Sequence, residues 1–208
     1  DGTPEGTILL KDIYPGVNGA WSYNYEYHYL EYPYFTVVND VLFFVADDGV
    51  HGRELWRSDG TPAGTVLVKD IYPGVNSSSP YSFSVVNDVL FFVANDGVHG
   101  WELWRSDGTP AGTVLVKDIY PGVNGASPGN FTVVNNTLFF VANDGVHGRE
   151  LWRSDGTPAG TVLVKDIYPG VNGASPGNFT VVNNTLFFVA NDGVHGRELW
   201  RSDGTPAG

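Results

Sequence analysis

The residues best suited to chemistry recur in fixed company. His51, His99, His147 and His195 each follow Asp-Gly-Val, with Asp48, Asp96, Asp144 or Asp192 three residues before and a Glu three residues after. Imidazole beside carboxylates could ligate a metal or switch with pH. The spacing does not match a helical zinc motif, and the Asn-Asp-Gly turns lack the alternating acids of a calcium loop. A histidine hydrogen-bonded within its own turn is the plainer expectation, so neither a metal nor any other cofactor is assigned. Ser58, Ser106, Ser154 and Ser202 also recur identically. A nucleophile with its general base needs one asymmetric site, and no Gly-x-Ser-x-Gly, phosphate loop or zinc-protease motif accompanies them. The expectation is a protein that is not an enzyme. Asn-x-Ser/Thr triplets at Asn76, Asn130, Asn135, Asn178 and Asn183 read as incidental to an Asn-rich repeat.

The elements that carry these residues are four copies of one unit. Residues 107–154 and 155–202 are identical, and Asp-Gly-Thr-Pro returns at Asp1, Asp59, Asp107, Asp155 and Asp203. A period of this size indicates a propeller, a solenoid or an array. The chain reads as a single repeat domain over 1–208, with repeats 1–58, 59–106, 107–154 and 155–202 and a closing segment 203–208.

In the fourth copy, Thr161–Ile167, Phe179–Val182, Thr185–Ala190 and Arg197–Arg201 read as strands from their β-branched and apolar content. Asn183-Asn184 marks a tight turn, since Asn tolerates positive φ. Tyr168–Asn178 is a long connection. No helical period is present. The fold expected is all-β: a β-propeller of four-stranded antiparallel blades. The long connection should lead from the outer strand of one blade to the inner strand of the next. Thr7–Ile13 would be the outermost strand of the last blade and would close the ring, hiding an aggregation-prone edge. A four-bladed ring from one chain and an eight-bladed ring from two chains, a homodimer, both fit.

Composition narrows the partners. With 23 acidic and 11 basic residues the formal charge is −12, which disfavours nucleic acid. No apolar run reaches membrane-spanning length. Cysteine is absent, so disulfides and thiolate sites are excluded. No leader and no initial Met are visible, as expected of a mature or trimmed chain.

Glu54-Leu-Trp-Arg-Ser-Asp-Gly-Thr-Pro-Ala-Gly-Thr65 resembles the bacterial ELWxxDGT repeat. It recurs at Glu102–Thr113 and Glu150–Thr161, and in shortened form at Glu198–Gly208. The resemblance implies a secreted or surface-associated, β-propeller-like repeat protein without an agreed catalytic site. The near-identity of the copies points to recent amplification or symmetric engineering. The recurring Trp56, Trp104, Trp152 and Trp200 are expected to pack between blades. Asp59, Asp107, Asp155 and Asp203 are expected to cap backbone N–H groups of their turns.

Departures from the repeat carry the functional expectation. Where the fourth copy has Ser175-Pro-Gly-Asn178, the first has fourteen residues, Trp21–Tyr34, including six Tyr. Tyr23, Tyr25, Tyr27 and Tyr29 would share one face if the segment were extended. Tyr32 and Tyr34 complete the set. The second copy carries Tyr81 in the same connection, and Trp101 where the others have Arg53, Arg149 and Arg197. Aromatic residues of this kind suit recognition of a protein or a glycan. The alternatives are a loop that covers or plugs the fold, and a symmetric scaffold with no ligand of its own.

Overall fold

A computed structural model describes residues 2–17, 19–21, 23–24, 29–30 and 34–207, the side chains of 23–24 and 29–30 excepted. Two compact units are present, Asp1–Pro80 and Tyr81–Gly208. Among the described residues the structure is all-β, without a helix.

The first unit holds a two-residue ladder, β1 (Tyr23–Asn24) with β2 (Tyr29–Leu30), and one four-stranded sheet. That sheet runs β3 (Thr36–Val38), β4 (Val41–Asp47), β5 (Arg53–Ser58) and β6 (Val66–Lys69) in spatial order. The second unit repeats the pattern. One sheet is β7 (Tyr81–Val86), β8 (Val89–Asn95), β9 (Trp101–Ser106) and β10 (Val114–Lys117). The next is β11 (Gly129–Val134), β12 (Thr137–Asn143), β13 (Arg149–Ser154) and β14 (Val162–Lys165). The final one has three strands, β15 (Gly177–Val182), β16 (Thr185–Asn191) and β17 (Arg197–Ser202). All pairings are antiparallel and follow chain order, as the repeat predicts.

The turns form for the reasons read from sequence. Asn183 and Asn184 take φ of 48° and 62°, a left-handed pair that suits a two-residue hairpin. Asp59 Oδ1 accepts the Thr61 N–H at 2.9 Å and the Thr61 hydroxyl at 2.7 Å, and Asp107, Asp155 and Asp203 do the same.

Packing in the second unit is sheet against sheet. Val86, Phe91, Leu103 and Val116 meet Leu138, Phe140, Ala142 and Trp152 of the next sheet in one buried cluster. Val134, Phe139, Leu151 and Val164 meet Leu186, Phe188 and Ala190 in a second. Trp152 thus lies between two sheets, as expected of the recurring Trp.

Thr7–Ile13 departs from expectation. It forms no strand, and the sheet it was to complete has three strands. A strand is stabilised by a partner edge, and none meets this segment among the described residues. It lies instead beside the first sheet. Lys11 Nζ donates to Thr65 O at 2.6 Å and to Pro62 O at 3.3 Å. Ile13 packs with Phe44, Ala46 and Trp56.

One glycine shows how tightly the connections press on the sheets. Gly148 has φ +68°, and a Cβ there would lie 2.6 Å from the Val171 carbonyl oxygen. Gly148→Ala is expected to cost about 2 kcal/mol or more through strain and clash together. Urea denaturation measures it.

Candidate functional site

Each long connection is stapled to its sheet by a buried glutamate. In the extended third strand Glu102 alternates with Trp104, so both side chains share a face, and Glu102 is fully buried. Its Oε1 accepts the N–H of Tyr120 at 3.0 Å and of Ala126 at 2.8 Å. Glu150 holds Tyr168 and Ala174 in the same way, at 3.1 and 2.7 Å. The same connection also reaches the following sheet. Asn143 N–H donates to Ala126 O at 3.1 Å, while Ser127 N–H donates back to Trp101 O at 2.9 Å. Long connections and second hairpin turns therefore gather at one end of the sheets within the unit.

Glu54 makes a richer version of the staple. Its Oε2 accepts Ile71 N–H at 3.1 Å and the Ser78 hydroxyl, and its Oε1 accepts Ser78 N–H at 2.9 Å. The other copies have Ala126 and Ala174 where this one has Ser78. There the second oxygens of Glu102 and Glu150 are buried without a hydrogen-bond partner. Asp118 Oδ1 and Asp166 Oδ1 are likewise buried and unpartnered. Burial is the main cause that pushes Glu54 and Glu102 up to about 7 and Glu150 to about 6; the Asp118 and Asp166 charges add to it for the latter two.

The His and Asp turns are self-contained. His51 Nδ1 pairs with Asp48 Oδ2 at 2.8 Å, and the other copies pair at 2.6 to 2.7 Å. That bond raises the pKa of each His. Burial alone would raise Asp48, Asp96 and Asp144, but N–H and ring bonds from the turn outweigh it and hold them low. Among the described residues no group of three or more His, Asp or Glu is placed to hold a metal ion. Ser58, Ser106 and Ser154 are buried, each bonded at 2.7 Å to the hydroxyl of Thr65, Thr113 or Thr161. That is a corner lock between strands, with a hydroxyl partner instead of a base.

The aromatic departures fall in both units. In the first, Trp21 is partly exposed. Its indole N–H donates to Val45 O, and its ring meets Phe35 edge-on at 6.2 Å and Phe44 at 6.0 Å. Trp21 therefore covers the first sheet as well as facing solvent. Tyr34 has φ 50° and is exposed. Tyr23 pairs with Leu30 and Asn24 with Tyr29, so Tyr23 and Tyr29 sit on two paired strands and not on one extended run. Tyr25, Tyr27 and Tyr32 lie outside the described residues.

In the second unit Tyr81 and Trp101 touch, ring centroids 5.4 Å apart at 62°. Both are half-buried. The identical copies carry Gly129 and Arg149, then Gly177 and Arg197, at these two positions. There the arginine reaches a backbone carbonyl: Arg149 Nη1 donates to Ser127 O at 3.2 Å and Arg197 Nη1 to Ser175 O at 3.3 Å. Two separate departures in sequence are one paired replacement in space.

No protein-family model matches the chain, and no curated protein matches it. Solved structures do. Puromycin hydrolase is similar with a TM-score of 0.54 and 16% identity, over 82% of this chain and 27% of that one. A mutant of the same hydrolase complexed with PGG gives 0.51 and 16%, over 79% and 25%. This chain thus spans about a quarter of those proteins, and the likeness is one of fold. Repeated four-stranded antiparallel sheets fit a propeller-like repeat protein.

The buried glutamates were missed as structural groups in the sequence. Their signal was parity: in Arg-Glu-Leu-Trp-Arg-Ser the Glu shares a face with the Trp and the buried Ser, which no solvated Glu would do.

Proposed function

We propose that this chain is a non-catalytic recognition module of the ELWxxDGT type, presenting aromatic side chains from its long connections to a protein or a glycan. The observation that supports it is the Tyr81–Trp101 pair. Within a frame repeated almost unchanged, a Gly and an Arg are exchanged together for two rings in contact. A half-buried ring pair offers contact area at small entropic cost. Packing alone does not require the exchange, because the Gly and Arg version folds twice in the same unit. The Trp21–Tyr34 insertion adds a second aromatic surface in the first unit. The hydroxyl-locked serines support the non-catalytic half of the reading.

The test is restoration of the repeat. Tyr81→Gly with Trp101→Arg returns the second copy to the sequence of the third and fourth at these positions. Screening on a glycan array and a displayed peptide library should show binding by the parent chain. The double variant should bind at least about tenfold more weakly with an unchanged melting temperature, since two ring contacts are worth about 1.4 kcal/mol or more. Replacing Trp21–Tyr34 by Ser-Pro-Gly-Asn probes the other surface. Equal binding by the parent and both variants would refute the reading.

A rival reading, a symmetric scaffold, draws on one specific observation: the first and the final sheet in chain order carry exposed apolar residues, Phe35 and Val37 in the one and Val182 and Leu199 in the other.

A further inference from the structure

The interior of the second unit defines a standard contact. The back of one sheet offers Val134, Phe139, Leu151 and Val164, all buried, and the front of the next offers Leu186, Phe188 and Ala190. The same positions, one repeat earlier, make the same contact. The back of the final sheet bears the same residue types in Val182, Phe187 and Leu199, of which Phe187 is half-buried and the other two are exposed. Val182 is 48% and Leu199 73% exposed, whereas their counterparts Val134 and Leu151 are buried. Among the described residues the outer edge of β17 has no partner strand.

The complementary half is present in the first unit. Its sheet bears Leu42, Phe44, Ala46 and Trp56, the counterparts of Leu138, Phe140, Ala142 and Trp152. Within this unit the buried cluster they form is joined by Ile13 and Ala20, the counterparts of Ile119 and Ala126 in the interior contact. Phe35 and Val37 stay exposed, while Phe131 and Val133 at the same positions are packed against the interior cluster. A cavity of about 240 Å³ opens here, lined by Leu9, Leu10, Ile13, Trp21, Phe35 and Phe44 among others. Lys11 donates to Thr65 O just as Lys117, on the outer strand of its sheet, donates to Thr161 O. Thr7–Ile13 is therefore posed as an outermost strand that has no sheet. Its sequence, Thr-Ile-Leu-Leu-Lys-Asp-Ile, matches Thr161–Ile167 at five of seven positions, and Ile8 and Leu9 are exposed.

We infer that two copies of this chain close head to tail, each lending Thr7–Ile13 as the fourth strand of the other's final sheet. The register follows from β13 on β14, where Arg153 opposes Val162, Trp152 opposes Leu163 and Leu151 opposes Lys165. Across copies, Arg201 opposes Ile8, Trp200 opposes Leu9 and Leu199 opposes Lys11. Val182 and Leu199 then cover the front of the first sheet. The two turns that flank the junction are duplicates, so one of them is released. A head-to-tail contact must close or grow without limit, and a pair in which each copy lends its segment to the other is the smallest closed form. This inference stands apart from the recognition reading, since neither Tyr81 nor Trp101 takes part.

Light scattering on the 208-residue chain tests it. A mass about twice 22.5 kDa is expected, falling to 22.5 kDa for Leu199→Arg. A parent mass of 22.5 kDa at all concentrations, or one of three or more copies, would overturn it. A second measurement survives a Leu199 variant that fails to fold. The chain has no cysteine, so Ile8→Cys and Arg201→Cys each introduce a single thiol. Opposed positions on paired strands fall within disulfide reach. Co-expressed and oxidised, the two variants should yield a mixed disulfide-linked pair on a non-reducing gel. Its absence would also overturn the inference. A double variant that cross-links only within one chain would show that the edge is closed by its own segment instead.

Discussion

Glu102→Ala should lower stability by about 3 to 5 kcal/mol, while Glu102→Gln should cost less, about 1 to 2 kcal/mol. The alanine leaves the N–H groups of Tyr120 and Ala126 without the acceptor that now holds them at 3.0 and 2.8 Å. Each orphaned buried donor costs about 1 to 3 kcal/mol, and the emptied site adds a cavity term. Glutamine keeps an oxygen where Oε1 is. It puts an amide nitrogen in place of Oε2, beside the Ile119 N–H, and so adds a buried donor. It also ends the burial of a titrating group and the repulsion from Asp118. Urea denaturation of the two variants reads the contrast. Hydrogen exchange should show faster exchange at Ala126 and Ser127 in Glu102→Ala, because the connection is released first. Equal losses for both variants would mean that the charge, not the acceptor geometry, holds the connection.

Stability should be greatest near pH 5 and fall as the pH rises toward 8. Folding raises the three buried glutamates from an ordinary 4.5 to about 7, 7 and 6. A group raised on folding stabilises fully below its unfolded value and loses that contribution as pH rises through the folded one. The window is therefore about 4.5 to 7. The histidines, raised by their Asp partners, act in the same direction from 6.5 upward. The aspartates of the turns act oppositely. Held low by bonds from Thr61 and its counterparts, or by His51 and its counterparts, they stabilise above 3.8 and lose this on acidification. Each pKa unit corresponds to about 1.4 kcal/mol, so several kcal/mol separate pH 5 from pH 8. A drop in melting temperature of about 5 °C or more is expected. The triple variant Glu54→Gln, Glu102→Gln and Glu150→Gln should flatten most of that slope and leave the histidine part. A parent melting temperature that climbs from pH 5 to pH 8 would contradict the assignment.

Much of the fold was legible because the repeat is written in strand chemistry. Thr185–Ala190 is apolar on both faces, and β16 takes that place in mid-sheet. Asn183-Asn184 announced its turn through the φ that Asn tolerates. Thr7–Ile13 matches a strand segment at five of seven positions and is not a strand, because strand formation depends on an available edge as well as on residue type. The candidate site was legible only as a set of differences. Tyr81 and Trp101 could be picked out against the unchanged copies, but their contact joins positions twenty apart across an intervening strand. The dual duty of Trp21, covering its own sheet, depends on the carbonyl of Val45, which no side-chain pattern reveals.

The connections have a consequence for how the second unit comes apart. Each is bonded at once to the sheet it leaves, through Glu102 or Glu150, and to the sheet it enters, through Asn143 or Asn191. A single sheet cannot melt without freeing polar groups in its neighbour. In a nearest-neighbour description the coupling between adjacent repeats is therefore large relative to the stability of one repeat alone. The three sheets are expected to melt as one block, and a calorimetric enthalpy equal to the van't Hoff value would show it. Cutting one staple would split that block into two transitions.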